Sequence, residues 1–175
     1  MKKILFLLLS IFLMQNYCLA KDTVQFDFPN NGWHQVESPD GLKSKKCFVP
    51  YNQSSENYTE MIVFSERILK NKGISPMVIL HKQLGKDRNN YMDIAPEYVK
   101  QDMNDSILIW CSKSKSICSI ERAFLGNEGV ILVTYINKMP HYSQNLLTNW
   151  VNIIGSVKLY SPDNSKEKPL NLIEL

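Results

Sequence analysis

Of the four cysteines in this chain, two are spaced so that a fold would bring them together. Cys111 and Cys118 flank residues 112–117, a polar stretch that reads as a hairpin turn between strands at 106–111 and 117–125. With the turn centred on Ser114 and Lys115, both side chains fall on one sheet face, directly opposite each other. Opposed residues of an antiparallel pair have Cα atoms about 4.5–5.5 Å apart, a separation that a disulfide accepts. A Cys111–Cys118 bridge is the favoured pairing and leaves Cys47 buried or free. A Cys47–Cys111 bridge would close a longer loop, with a geometry that spacing does not define. Cys-x-x-Cys is absent, and His34, His81 and His141 share no ligand spacing with the cysteines or with one another. No metal and no other cofactor is therefore expected.

The remaining reactive groups carry no local signature of catalysis. There is no Gly-x-Ser-x-Gly, no His-Glu-x-x-His, no P-loop and no dinucleotide fingerprint. Glu56, Glu60 and Glu66 surround one strand, and Asp102 and Asp105 flank a turn, a distribution that suits solvated faces. No catalytic residue is assigned. A hydrolase would have to assemble its site from distant residues, with Cys47 or a histidine as the candidate. His81 sits beside the apolar stripe of a helix and reads as a boundary residue. Trp33, Tyr51 and Tyr58 are the binding candidates, because they lie at or beside loops between the early strands. Their structural alternative is that Trp33 caps the core and the tyrosines decorate a polar loop.

The N-terminus reads as an address. Met1-Lys2-Lys3, an apolar run to Met14, and Cys18-Leu19-Ala20 before a polar segment form a cleavable signal peptide, residues 1–20. The apolar run is shorter than the ~20 residues that span a bilayer, so no stable membrane insertion is expected. Gln15, Asn16 and Tyr17 before Cys18 do not form a lipobox. Removing 20 residues from 175 leaves 155, enough for one domain with a core. The formal charge of +3 includes Lys2 and Lys3, so the mature chain carries +1. Such a balance gives no electrostatic case for nucleic acid. The Met-Lys-Lys start and the Lys/Asn/Ile-rich composition suggest a bacterial, periplasmic or secreted protein.

Stepping from groups to elements, strands are expected at 24–28, 33–36, 43–49, 60–68, 106–111, 117–125 and 129–137. A helix is expected from Ser75, with Pro76 in its first turn, to Leu84, closed by Gly85. A second runs over 141–154 and ends at Gly155, followed by a short strand at 157–160. Pro96 is expected to open a further short helix. Residues 21–160 form a single domain, and 161–175 a loosely held tail. Strands 107–110 and 130–136 are apolar on both faces and so need cover on both. The expected class is α+β, an antiparallel sheet covered by helices on both faces in three α/β/α layers.

The opening Phe26-Asp27-Phe28-Pro29-Asn30-Asn31-Gly32-Trp33 and the closing Trp150…Ile153-Ile154-Gly155-Ser156-Val157, with this element order, resemble the PsbP-like superfamily. The resemblance implies that same three-layer fold and, since members are mostly non-catalytic adaptors, binding or assembly rather than turnover. It carries over no catalytic residue. The functional expectation is an exported accessory protein that binds an unidentified protein partner, in envelope assembly, secretion or host interaction. The alternatives are the small secreted hydrolase and a secreted enzyme inhibitor using the 51–58 loop.

Overall fold

A computed structural model describes residues 22–29, 32–41, 45–68, 74–91, 93–127, 129–138, 143–160 and 171–175. The leader, His141 and residues 161–170 lie outside them. The described elements are β1 (Thr23–Gln25), β2 (Trp33–Val36), β3 (Lys45–Pro50), β4 (Glu60–Ile68), α1 (Pro76–Asn90), β5 (Glu97–Lys100), β6 (Asp105–Ser112), β7 (Ile117–Leu125), β8 (Gly129–Asn137), α2 (Gln144–Gly155), β9 (Lys158–Leu159) and β10 (Leu172–Glu174). They build a seven-stranded antiparallel sheet in the order β2-β3-β4-β8-β7-β6-β5 and a three-stranded sheet in the order β10-β1-β9.

Alternation along the central strands creates two cores. Ile120 and Phe124 of β7, with Ile131, Val133 and Tyr135 of β8, face Leu147, Trp150 and Ile154 of α2. Ala123, Val130 and Leu132 face the other way, toward Ile79, Leu80 and Leu84 of α1. The α/β/α class expected above is nevertheless corrected. Among the described residues 44% lie in strands of two sheets and 21% in helices, so strands rather than helical layers dominate the architecture. The reason is width. Seven strands at ~4.8 Å spacing span about 29 Å, whereas one helix is about 10 Å wide. Each helix therefore covers only part of the β6–β8 region. Beyond it, one face is closed by β1, the Phe26 that follows it, and β10, with Val24, Phe26 and Ile173 in the core. On the other face Cys47, Val49 and Met61 form a separate small cluster with Tyr58.

Local differences from expectation have physical causes too. Ser75 caps α1, its hydroxyl accepting the Val78 amide, but the helix runs past Gly85 to Asn90. An exposed helical glycine costs about 1 kcal/mol relative to alanine. Continuation is favoured by Gln83, which donates to Asp87 one turn on at 3.3 Å. Residues 97–100 form β5 instead of the helix expected after Pro96, because they pair with the open side of β6. Ser143 caps α2, accepting the Leu146 amide at 3.1 Å. The last five residues, expected within the loose tail, are tied down: β10 pairs with β1, and Ile173 and Leu175 are buried.

Three polar arrangements staple these elements. Arg122 is nearly buried, donating through Nη1 to the carbonyls of Ile154, Gly155 and Val157 at 2.8–3.0 Å and through Nε and Nη2 to Asp105. Its cation reinforces the C-terminal end of α2, where Ile154 O also accepts the Val157 amide at 3.4 Å. Asp22 accepts from the backbone and side-chain nitrogens of Asn127, pinning β1 to the β7–β8 turn. The third is a carboxyl pair beneath α1. Glu121 of β7 accepts from Trp110 Nε1 at 2.7 Å and Ser119 Oγ at 3.3 Å, and also meets Asp87 of α1. Burial, reinforced by the charge of Asp87, pushes the Glu121 carboxyl up to about 8. Burial likewise raises Asp87. Glu121 Oε2 and Asp87 Oδ2 are buried without a hydrogen-bond partner, so the charged form of each is disfavoured.

Candidate functional site

Cys111 and Cys118 stand opposite each other in the β6–β7 register and are joined by a disulfide, with Cα atoms 4.1 Å apart. The hairpin is further clamped by Asp93, which accepts from Ser112 Oγ at 2.6 Å and from the Ser114 amide at 2.8 Å. Those donors hold the Asp93 carboxyl down at about 2. Cys47 is free and has no exposed surface. Burial pushes its thiol up, the reverse of what a nucleophile needs. His81 bonds the Tyr98 hydroxyl at 3.1 Å, and His34 stacks on Tyr51. The hydrolase reading thus loses Cys47. Among the described residues no group of three or more His, Cys, Asp or Glu side chains is placed to hold a metal ion.

Two of the three binding candidates come together. Trp33, paired with Pro50 across β2 and β3, and Tyr51, just after β3, line one recess of about 710 Å³ with Asn52, Gln53, Glu60 and Trp150. The loop that follows β3 is held by its own side chains. The Tyr51 amide donates to Gly32 O at 2.7 Å, and the Gln53 amide to Pro50 O at 2.9 Å. The Gln53 side chain accepts the Thr59 amide at 2.6 Å and donates to Thr59 Oγ1 at 2.7 Å. Ser54 and Asn57 close the tip, the Ser54 amide donating to Asn57 Oδ1 at 2.7 Å. Tyr51 is 64% exposed on this braced loop, its ring parallel to His34 with centroids 5.5 Å apart. An aromatic ring fixed in solvent loses little entropy on binding.

The recess is continuous with the core through aromatic rings. Trp33 meets Trp150 edge to face at 5.6 Å, and Trp150 stacks on the wholly buried Tyr135 at 3.9 Å. The Tyr135 hydroxyl donates to the Glu60 carboxylate and accepts from Asn137 Nδ2 at 3.0 Å. Burial, and then the bond to Glu60, raise Tyr135 well above the usual phenol range, so the hydroxyl stays a donor. Glu60 Oε1 is thus the acceptor that Tyr135 holds, and Glu60 also lines the recess. Sequence reading had placed it among scattered surface acids and Trp150 in the core alone. The pairing of Glu60 with Tyr135 depends on the β4–β8 register, which sets Glu60 opposite Asn137. No local pattern announces it.

Tyr58 goes elsewhere. It is half-buried on the opposite sheet face with the Cys47 cluster, and the Lys138 ammonium lies 3.4 Å from its ring centroid. It braces the far end of the loop and does not join Trp33 and Tyr51. Two other recesses, of about 690 and 570 Å³, are of similar size, so volume does not select a site. What sets the Trp33–Tyr51 recess apart is that the braced loop with the exposed Tyr51 lines it together with Glu60, whose carboxylate accepts from Tyr135.

No family model matches the chain, and no curated protein matches it either. What fold and site define is an antiparallel β protein with one disulfide and an aromatic recess. Among the described residues no helix is long and apolar enough to cross a membrane.

Proposed function

We propose that the protein is an exported accessory protein that binds a protein partner through the Trp33–Tyr51 recess, in the periplasm or outside the cell. The leader-like N-terminus and the Cys111–Cys118 disulfide support export, since disulfides persist in oxidising compartments. The observation that carries the binding reading is the braced loop that holds Tyr51, stacked on His34, in solvent beside the recess that Trp33 and Glu60 line. Exposed tyrosine and tryptophan beside a preformed recess are what interface hot spots are made of. The Pro29-x-x-Gly32-Trp33 opening behind the PsbP-like resemblance supplies one wall of this recess, and the adaptor role implied by that resemblance agrees with binding. An inhibitor would need a loop that projects as an insertion, whereas Gln53 ties this one back to Thr59.

The test is affinity capture from envelope and culture-supernatant fractions with the wild-type protein and Tyr51→Ala. A partner retained by the wild type and lost by Tyr51→Ala supports the assignment. Capture that is indifferent to Tyr51 and to Trp33 refutes it, as does measurable substrate turnover by a partner-free monomer.

A further inference from the structure

We infer that the partner enters as an extended, uncharged segment that adds antiparallel to the outer edge of β2; this rests on the binding reading above and gives the partner's form. β2 is one end of the seven-stranded sheet and β5 is the other. The two edges differ. β5 follows Pro96, carries Glu97 and Lys100, and has a bulge between Tyr98 and Lys100, all of which discourage a further strand. β2, Trp33-His34-Gln35-Val36, has no Asp, Glu, Lys, Arg or Pro, and it pairs with β3 without a break in register. Among the described elements β3 is its one partner in the sheet.

The direction of the β2 backbone groups follows from Pro50. Opposed residues of an antiparallel pair alternate between exchanging hydrogen bonds and not exchanging them. The Tyr51 amide donates to Gly32 O at 2.7 Å, and Pro50, opposite Trp33, has no N–H to give. Gly32, His34 and Val36 are therefore the residues that bond β3, while the N–H and C=O groups of Trp33 and Gln35 point out from the edge. The side chains of these same two residues reach recesses on one sheet face. Trp33 lines the recess of about 710 Å³, and Gln35 lines the one of about 690 Å³. In an added antiparallel strand, the residues bonded to Trp33 and Gln35 stand directly opposite them and share that face. Main-chain bonds and recess contacts then come from the same alternate residues, which is how strand addition combines affinity with selectivity.

The walls set the chemistry of the segment. Pro29 and Leu146 stand in the first recess, Phe28 and Phe48 in the second. Of the charged groups, Glu60 is already held by Tyr135, and Lys46 and Glu174 are one of each sign. Apolar side chains at alternate positions suit both. The intervening residues lie on the other face, beside His34 and Val36, where Tyr51 stacks on His34. Four residues extend about 13 Å. A second copy joined along that length alone falls short of the about 1,600 Å² that a stable interface buries, whereas a partner segment also seats side chains in two recesses.

The probe is a blocked pentapeptide, Thr-Val-Thr-Val-Thr, titrated into the full protein and followed by tryptophan fluorescence and backbone-amide NMR. Saturable binding is expected, with slowed exchange of the Trp33 and Gln35 amides. N-methylation of both valines removes the donors that face β2 and should weaken binding at least about tenfold. N-methylation of the central and last threonines, whose amides face away, should change it less than about twofold. Gln35→Pro deletes an outward N–H, breaks no bond to β3, and should abolish peptide binding with the unfolding midpoint nearly unchanged; if that variant unfolds, the methylated peptides on the wild type decide. Equal binding of the two methylated peptides, binding that leaves the Gln35 amide exchange unaltered, or no binding at all overturns the inference. If no peptide binds but capture of the partner still depends on Tyr51, strand addition fails while the binding surface stands. If capture is also indifferent to Tyr51 and Trp33, both fail.

Discussion

Replacing Glu121 by glutamine tests how a buried acid pair holds α1 to the sheet. Glu121 is 1% exposed and meets Asp87 across the α1–β7 interface. An unfolded chain releases the Glu121 proton near the ordinary 4.5, whereas the folded protein keeps it to about 8. Below the first value both states are protonated and the pair costs nothing. Between the two, each pH unit favours the unfolded chain by about 1.36 kcal/mol, so by pH 8 the accumulated penalty is on the order of 4–5 kcal/mol. Stability from this interface is thus complete in mild acid and lost as pH rises through 8. Glutamine keeps an oxygen for Trp110 and a donor for Asp87, and it does not titrate. Wild type and Glu121→Gln should therefore unfold at similar urea concentrations at pH 5. By pH 9 the variant should be the more stable by several kcal/mol. Histidines and other common groups cancel in the difference. Urea titrations followed by tryptophan fluorescence at pH 5, 7 and 9 measure it. Parallel curves for the two proteins across that range would refute a Glu121 carboxyl raised by burial.

Arg122→Ala removes the cation from three carbonyls at the end of α2 and leaves Asp105 with Lys100 alone; a loss of about 3 kcal/mol or more is expected in thermal unfolding, and a loss well below about 1 kcal/mol would contradict it. Arg122, with Lys100, also holds Asp105 below the usual carboxylate range against its burial, so the same variant should blunt the loss of stability in acid, read by unfolding between pH 5 and pH 2. Reducing the Cys111–Cys118 bridge opens a short loop, for which the chain-entropy relation gives about 2–3 kcal/mol; denaturation with and without reductant measures it, and an unchanged midpoint would exclude the bridge. Tyr51→Ala should leave the unfolding midpoint nearly unchanged, because the ring is exposed, whereas Trp150→Ala should cost about 3–5 kcal/mol from the core. Comparable losses in the two variants would show that Tyr51 is a structural residue.

The parts of the fold visible in the sequence are those that sequence-local physics decides. The hairpins β6–β7 and β7–β8 have turn residues between β-rich runs, and β7 and β8 fall at the expected bounds, with β6 one residue longer at each end. The disulfide follows from the same hairpin register. Elements that exist only through distant partners were hidden. Three-residue β1 and β10 lie at opposite ends of the chain and carry no period of their own. β5 is a strand because β6 has an edge to pair with, and nothing in Glu97–Lys100 alone requires it. The greasiness of β6 and β8 on both sides correctly required cover on both sides, but composition does not say what provides it. Part of the cover is the second sheet, which is why a helical-layer class misdescribes the molecule.

The site divides along the same line. Trp33 and Tyr51 were open to proposal from the sequence alone, as aromatic residues at or beside loops. Glu60 was not, because its meaning is supplied by Tyr135, 75 residues away in sequence and joined to it only through the β4–β8 ladder. Trp150 shows why the two categories of core and site do not separate here. Its stacking on Tyr135 is ordinary packing, yet that packing fixes the hydroxyl that aims the Glu60 carboxylate. Replacing Tyr135 by phenylalanine separates the roles. The ring and its stack on Trp150 remain while the donor to Glu60 is gone, so the fold should persist at a modest cost of about 1–3 kcal/mol. Partner capture that depends on Glu60 should weaken with it. If capture is untouched by this change while Glu60→Gln abolishes it, Glu60 is held by something other than Tyr135, and the link from core to recess is broken.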